Sequence, residues 1–284
     1  MGIYLKRYAA AAAAVMLMIM LFTSCGSAGD GGQADTPELR IGGVIYAPYF
    51  YRDIDGNFDG IDVELAREAC SRMGYRPSFD DLEIGTQLSA LDAGAADCVW
   101  SCISMDEYDS GEYKGEYMWA GPYLYSQRVM MVKTDSEINK LEDLTGKRVG
   151  VQAGSASESV ILQEMKDNEF PEIRQLTSLD SLGKVFTALK KDYVDAVAGH
   201  ESALNVYADE YPDQYRCLNT SIRNERLGVA FRKDADAELV DKLYETLKEM
   251  KEDGTTEAII KKYGLDVERN VYGGSDGKVA GSDK

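Results

Sequence analysis

The chain is 284 residues long and carries a formal net charge of −18 at pH 7. Such an acidic balance repels phosphate backbones and anionic lipid headgroups, so nucleic acid is excluded as a favoured partner. About 230 residues remain between an N-terminal leader and a C-terminal tail, which is enough for two lobes with separate hydrophobic cores.

The N-terminus has the pattern of an export signal. Lys6 and Arg7 precede an apolar run over residues 9–22, and small residues follow that run. Because the run is shorter than the roughly 20 residues needed to cross a bilayer, residues 1–24 are predicted to be a signal peptide. Cys25 resembles the lipidated cysteine of the bacterial lipoprotein signal, and a plain secretory signal is the alternative. The resemblance implies a lipid-anchored protein on the extracytoplasmic face of the cell membrane, either extracellular or periplasmic.

Two segments lack apolar periodicity. Residues 25–37 are rich in Gly, Ser and Asp, which is typical of a flexible tether. Residues 271–284 have a similar composition, which predicts a disordered tail.

Strands and helices alternate through the first half of the chain. Alternating apolar residues predict strands at 39–44, 76–79 and 97–100. Apolar residues at helical spacing predict helices at 62–73 and 87–93.

Residues 53–60 follow an aromatic loop and carry acids and an asparagine at alternate positions, as a calcium-binding loop does. In such a loop the twelfth position, counted here from Asp55, is a glutamate, but this chain has Ala66 there. A hairpin turn is therefore the better prediction. No Cys and His spacing is typical of a metal site, and neither a metal nor a cofactor is predicted.

The second half of the chain repeats the alternation between two extended segments, residues 123–132 and 227–232. The apolar pattern between and after these segments predicts a helix at 179–189, a buried strand at 194–199, a helix at 239–250 and a last helix after Gly254.

Residues 146–158 predict a strand, a tight turn of small residues and the start of a helix. The N–H groups at such a helix N-terminus, together with the positive end of the helix dipole, favour a carboxylate or another anion. An ordinary capped helix is the alternative.

This order of elements predicts an α/β fold. Strands that alternate with helices form parallel sheets with right-handed crossovers, and ligands bind at the carboxyl ends of such strands. Two extended crossings between two strand–helix–strand sets predict a two-lobed protein, in which each lobe is a sheet flanked by helices and two strands form the hinge.

Four cysteines remain after the leader, which allows three pairings. Cys98 and Cys102 are about 13 Å apart in an extended strand, too far for a disulfide. Cys70 lies on the apolar side of a predicted helix and Cys98 in a predicted strand, so both are expected to be buried thiols. Cys217 is the fourth.

Several short sequence segments resemble, in the same order, segments of the extracellular solute-binding proteins of family 3, which are the polar amino-acid receptors of ABC importers. They cover residues 46–49, 60–66, 94–97, 121–123, 141–144, 146–157, 194–197, 227–230 and 251–254. The resemblance implies a monomer of the periplasmic-binding-protein-like (type II) fold that closes on a small polar solute and docks on an ABC permease. Lobe one would be residues 38–127 plus 227–270, and lobe two residues 128–226.

The resemblance also shows where this chain departs from the family. The family's arginine for the ligand carboxylate is replaced by Tyr108, and its aspartate for the ligand ammonium by His200, with Glu201 next. Each lost charge-assisted hydrogen bond is worth roughly 1.5 to 3 kcal/mol, so either substitutes act or the ligand differs. Arg128 and Arg52 are candidate replacements for the guanidinium, and Glu201 is one for the ammonium acceptor.

The remaining contacts implied by the resemblance are aromatic and small polar ones. The pKa of His200 is expected to rise beside Glu201, which would make binding sensitive to pH. The full set of expected ligand-binding residues is Tyr46, Tyr49, Ser101, Ser104, Tyr108, Gln152, Ala156, Ser157, His200 and Glu201.

Two functions fit these features. The first is a binding receptor for an ABC importer. The second is an enzyme on the same scaffold, similar to the cyclohexadienyl dehydratases of the family, with His200 and Glu201 as acid and base. No nucleophile or cofactor motif accompanies that pair, so the binding receptor is the preferred prediction.

Overall fold

A computed structural model describes residues 36–108 and 114–273 of the chain. The predicted signal peptide, the predicted lipidation site Cys25 and most of the predicted tether and tail lie outside these residues. Across the two described ranges, no helix combines the length and the apolar character that a membrane span requires.

Ten strands occur in the described residues. Eight form one mixed sheet in the order β4-β1-β5-β10-β6-β9-β7-β8, and β2 pairs with β3 in a separate hairpin. In chain order they are β1 (Glu38–Val44), β2 (Tyr51–Arg52), β3 (Phe58–Asp59), β4 (Arg76–Leu82), β5 (Cys98–Val99), β6 (Tyr117–Lys133), β7 (Arg148–Gln152), β8 (Gln175–Leu179), β9 (Ala196–His200) and β10 (Tyr215–Arg232).

Nine α-helices and one 3-10 helix also occur in the described residues. They are α1 (Ile61–Met73), α2 (Gln87–Asp92), α3 (Met105–Tyr108), α4 (Ala156–Lys166), α5 (Leu182–Lys190), α6 (Glu201–Glu210), α7 (Ala237–Glu252), α8 (Thr255–Lys262) and α9 (Val267–Asn270), with a 3-10 helix at Leu141–Leu144.

The strands β6 and β10 join the two halves of the molecule. They pair antiparallel along most of their length, and at about 3.3 Å per residue each spans about 55 Å. Strand β5 pairs with β10 at one end, through Ala230 and Phe231, whereas β9 pairs with β6 at the other, from Arg128 to Met131. This pair of shared strands is the two-stranded hinge of the predicted fold class.

The buried apolar residues form clusters that belong to one half or the other. One half packs β1, α1 and α7 around Trp100 and Leu243, and all members of its clusters fall within 39–124 or 227–271. The other half packs its clusters around Val149 and Val197, within 129–222. We refer to them as the first half and the second half, and the lobe bounds given above stay predictions.

Most predicted elements are present, and several differ in extent. Leu179 ends β8, which was not predicted, and α5 begins at Leu182 because the Ser181 side chain caps it by accepting from the Lys184 N–H. Strand β10 begins at Tyr215, twelve residues before the predicted extended segment. Val271, assigned to the tail, is fully buried in the core of the first half.

The turns and cysteines agree with the sequence. Residues 51–59 form the predicted hairpin, and α1 ends at Gly74, whose φ of 78° is left-handed. Cys70 and Cys98 are buried free thiols, as expected, and Cys102 and Cys217 are also free.

Candidate functional site

A cavity lies between the two halves, at the carboxyl ends of parallel strands. The first half contributes the end of β1, the turn at residues 101–104 and α3, and the second half contributes the N-terminus of α4 and the end of β9. Its lining residues are Val44, Tyr46, Ile84, Gln87, Ser101, Cys102, Ile103, Ser104, Glu107, Tyr108, Arg128, Gly154, Ser155, Ala156 and His200.

Buried hydrogen bonds hold the 101–104 turn. Ser101 Oγ accepts from the Val44 N–H at 3.1 Å, and Asp62 Oδ2 accepts from the Cys102 N–H at 2.6 Å. Cys102 has a φ of 44°, a left-handed conformation that costs a residue with a Cβ free energy, so these bonds stabilise an unfavourable turn. The Tyr123 hydroxyl donates to the other oxygen of Asp62 at 2.9 Å.

Asp62 is a fully buried carboxyl group without a cationic partner among its hydrogen bonds. Burial raises its pKa to about 7, against the two hydrogen bonds from Tyr123 and Cys102, which lower it. The support of the 101–104 turn therefore includes a group that titrates near neutral pH.

Two tyrosines of the first half meet His200 of the second half. Each ring centroid lies 5.5 Å from that of the imidazole, and Tyr46 Oη accepts from the His200 N–H at 3.4 Å. The Tyr49 hydroxyl accepts from Ser202 Oγ at 2.8 Å and is fully buried behind the cavity. Tyr46 therefore lines the cavity, whereas Tyr49 supports it from behind.

His200 is neutral in this site. Its Nδ1 lies 2.8 Å from Ser126 Oγ, and burial followed by the nearby charge of Arg128 lowers its pKa well below the usual value. The expectation that Glu201 raises this pKa is wrong, because burial and the charge of Arg128 lower it.

One face of the three central strands carries the charged part of the site. Arg128 is opposite His200 in the β6–β9 ladder, and Glu225 is opposite Ser126 in the β6–β10 ladder. Side chains that are directly or diagonally opposite on one face of a sheet are in contact. Arg128 Nε and Glu225 Oε2 are accordingly 2.7 Å apart, with both side chains almost fully buried.

Arg128 also contacts the start of α4. Its Nη1 donates to Ser157 Oγ at 3.3 Å, and the guanidinium lines the cavity. Burial is the largest single influence and lowers the pKa of Arg128, but the charge and the hydrogen bond of Glu225, together with Tyr46 and Cys102, raise it overall. Arg52, the other candidate, lies elsewhere: it donates to Asp81 at 3.0 Å and stacks 3.8 Å from the Phe58 ring centroid.

The N-terminus of α4 is a capped helix start at the edge of the cavity. Ser155 Oγ accepts from the Glu158 N–H at 3.3 Å, and Glu158 in turn accepts from the Gly154 N–H at 2.7 Å. Ser178 also donates to the Glu158 carboxylate. The start of α4 is therefore a capped helix, as the alternative predicted. The backbone N–H groups of Ala156 and Ser157, in the first turn, have no acceptor within the helix and lie at the end of α4 that meets the cavity.

The short helix α3 brings two polar residues to the cavity, Glu107 and Tyr108. Ser104 Oγ accepts from the Glu107 N–H at 3.3 Å and thereby orients this turn. Burial raises the pKa of Glu107, and the positive charge of Arg128 opposes that rise. Glu107 was not predicted, although its place in the turn after Ser104 was a signal for it.

The ten expected ligand-binding residues fall into two groups. Six line the cavity, namely Tyr46, Ser101, Ser104, Tyr108, Ala156 and His200. The other four, Tyr49, Gln152, Ser157 and Glu201, are buried and do not line it. Binding by any of the ten stays a prediction.

Glu201 faces away from the cavity. It forms an ion pair with Arg269 of α9, and both residues line depressions on another face of the molecule. The proposed acid and base, His200 and Glu201, are therefore not assembled in one cleft.

The two halves meet across the mouth of the cavity. A Cβ placed on Gly154, whose φ of 68° is left-handed, would lie 3.8 Å from the Ile84 carbonyl oxygen. The ring contact between Tyr46 and His200 also joins the two halves beside the cavity. Within the described part of the chain, no group of three or more His, Cys, Asp or Glu residues is placed to hold a metal ion.

Comparisons with known proteins agree with this architecture. The family model of the bacterial extracellular solute-binding proteins, family 3, matches residues 39–266. The arginine-binding extracellular protein ArtP of Bacillus subtilis (strain 168) is 31% identical over 246 residues, which cover 85% of this chain and 91% of that protein. The histidine-binding periplasmic protein of Escherichia coli (strain K12) is 28% identical over 270 residues, which cover 92% and 99%.

Among solved structures, an ancestral arginine-binding protein bound to arginine is similar to this chain. It has a TM-score of 0.68 and 29% sequence identity, and the match covers 80% of this chain and 97% of that one.

Proposed function

Because the chain belongs to the bacterial extracellular solute-binding proteins, family 3, we propose that it is the lipid-anchored substrate-binding protein of an ABC importer. It captures a small polar, amino-acid-like solute between two lobes, residues 38–127 plus 227–270 and residues 128–226, and delivers it to a membrane permease. The leader at residues 1–24 and Cys25 support export and anchoring outside the cytoplasm.

The observation that carries this proposal is the cavity lined by both halves. The 101–104 turn and the start of α4 present hydroxyl and backbone groups from opposite sides, and Tyr46 and His200 close one end. A solute that contacts both sides binds the closed form better than the open form, and it shifts the population toward closure by that difference in affinity. The long shared strands β6 and β10 are the elements about which such a closure turns.

The relatives support an amino acid as the ligand. ArtP is named for arginine and the Escherichia coli protein for histidine, and both match this chain along most of its length. An enzymatic role has less support, since these relatives are binding proteins and the proposed acid and base point in different directions.

A thermal-shift screen of the purified mature domain tests the proposal. Arginine, lysine, histidine, glutamine, glutamate, simple amines and small organic acids are each added at increasing concentration. A ligand that binds only the folded state raises the melting temperature as its concentration increases. At one hundred times its Kd, it adds about 2.7 kcal/mol to the free energy of unfolding. If none of these solutes shifts the melting temperature, the proposed function is overturned.

Anchoring is tested separately on the full chain. Wild type should partition with membranes after export, whereas Cys25→Ser should be released in soluble form because it has no site for the lipid. Equal membrane association of both would contradict lipidation at Cys25.

A further inference from the structure

The cavity contains an unusual set of ionisable groups. Burial raises the pKa values of Tyr46, to about 12, and of the Cys102 thiol, so both stay neutral. His200 is neutral because its pKa is lowered. Among the described residues that line the cavity, Glu107 is the carboxyl group and Arg128 is the guanidinium group.

The two charged groups enter the cavity from different elements. Glu107 belongs to α3 of the first half, whereas Arg128 belongs to the hinge strand β6 and reaches the start of α4 in the second half. Burial raises the pKa of Glu107, and the positive charge of Arg128 opposes that rise, so the two groups influence each other. A small solute with an acidic and a basic group fits between such a pair.

Arg128 is rigidly placed for this task. Glu225 lies behind it, 2.7 Å from Nε, and Ser157 accepts from Nη1. A guanidinium has five N–H donors in a planar fork, so these contacts orient it and still leave donors for a carboxylate in the cavity. The first-turn amides of α4 lie at the same end and favour the same charge.

Among the described residues, the formal balance of charge in and directly behind the cavity is negative. Glu225 lies behind the cavity and already pairs with Arg128, so the carboxyl group of Glu107 in the lining is the second acid against one cation. A low-dielectric cavity with a formal excess of one negative charge favours a ligand with a net positive charge.

We propose, on the basis of the proposed function, that Glu107 and Arg128 are the specificity-determining residues of this site. Arg128 binds the ligand carboxylate and Glu107 binds its cationic group, and the preferred solutes are amino acids with a net charge of +1. Neither Tyr108 nor His200 then needs to carry charge, and Glu201 is left to its ion pair with Arg269.

Isothermal titration calorimetry with L-arginine tests the part played by Glu107. Glu107→Gln should weaken arginine binding about tenfold or more, the loss expected for a charge-assisted hydrogen bond. The matched control is Glu83→Gln, which removes the same charge from an exposed acid next to Ile84 at the cavity mouth. It should change the affinity less than twofold.

Agmatine, which is arginine without its carboxylate, tests the part played by Arg128. Wild type should bind arginine at least tenfold more tightly than agmatine. The double variant Arg128→Gln/Glu225→Gln removes both charges together, so no buried charge stays unpaired, and it should lose most of this preference. Its melting temperature and circular dichroism spectrum establish that it is folded.

Several results would overturn the inference while leaving the proposed function intact. They are wild-type binding that prefers glutamine or glutamate to arginine, unchanged arginine affinity in Glu107→Gln, and an arginine preference that persists in the double variant. If wild type binds none of the probes in the thermal-shift screen, the proposed function fails and this inference fails with it.

Discussion

Two buried carboxyl groups beside the cavity are stabilised in opposite ways. Asp62 is 0% exposed and accepts hydrogen bonds from the Cys102 N–H and the Tyr123 hydroxyl, both neutral donors. Glu225 is 2% exposed and lies against the guanidinium of Arg128. The first supports a backbone turn of the first half, and the second orients a side chain that reaches the second half.

The difference separates two ways of building a polar cavity. A neutral donor set leaves Asp62 close to its titration point, because burial outweighs the hydrogen bonds. Glu225 is stabilised by a single cation, Arg128. Removing Arg128 would leave the buried charge of Glu225 without compensation. The support of the turn is therefore sensitive to pH, whereas the charged pair is sensitive to substitution.

The largest effect is expected from breaking the charged pair. Arg128→Gln should lower the free energy of unfolding by about 3 to 5 kcal/mol, because Glu225 stays buried and unpaired. The double variant Arg128→Gln/Glu225→Gln should recover about half of that loss, since no lone charge remains. Urea denaturation of wild type and both variants measures it, and equal losses in the single and double variants would contradict the interpretation.

Removing the carboxyl group of Asp62 should have a smaller effect, and that effect should depend on pH. In Asp62→Asn the side-chain NH2 group faces the Cys102 N–H or the Tyr123 hydroxyl, which are also donors, so the free energy of unfolding should fall by about 1 to 3 kcal/mol. The folded-state pKa of Asp62 lies above its unfolded value, so the folded state binds more protons than the unfolded state between about pH 4 and 7. The stability that Asp62 contributes is therefore complete below about pH 4 and declines as pH rises through 7.

The measurement is the stability difference between wild type and Asp62→Asn from pH 4 to 8. This difference should shrink as pH rises. The control is Asp55→Asn, at an exposed turn residue, for which the difference should stay small throughout. A difference for Asp62→Asn that grows with pH would show that the folded-state pKa of Asp62 is lowered.

A third carboxylate, Glu201, sharpens the comparison, because its partner Arg269 is half exposed and belongs to the other half of the molecule. Glu201→Gln should lower the free energy of unfolding by about 1 kcal/mol, since solvent screens one side of this pair. Glu268→Gln, at an exposed neighbour of Arg269, should have less than about 0.5 kcal/mol of effect. Thermal denaturation compares them, and a loss for Glu201→Gln as large as that for Arg128→Gln would contradict the ranking.

The smallest effect is expected at Arg52, whose pair with Asp81 is exposed on both sides. Arg52→Gln should change stability by less than about 1 kcal/mol and leave arginine affinity within twofold of wild type. Calorimetry on this variant beside the Arg128→Gln/Glu225→Gln variant separates the two candidate guanidinium groups. A tenfold loss of affinity in Arg52→Gln would show that the ligand carboxylate binds Arg52 and that its assignment to Arg128 is wrong.

Local patterns in the sequence determined most of the fold. The helical spacing of apolar residues before Gly74 defined α1, and the small residues after a short strand defined the start of α4. The alternation of these elements with two long extended segments defined a two-lobed α/β class. These features depend on neighbours within a few residues, which is why the sequence alone reveals them.

The tertiary structure alone decided which charged side chains meet in the cavity. Arg128, His200 and Glu225 come together because β9 and β10 pair with β6 in a register that no local pattern encodes. The extended segment predicted from residue 227 excluded Glu225, although the strand continues back to Tyr215. His200 and Glu201 are adjacent in sequence but end a strand and begin a helix, so their side chains leave the backbone toward different faces of the molecule.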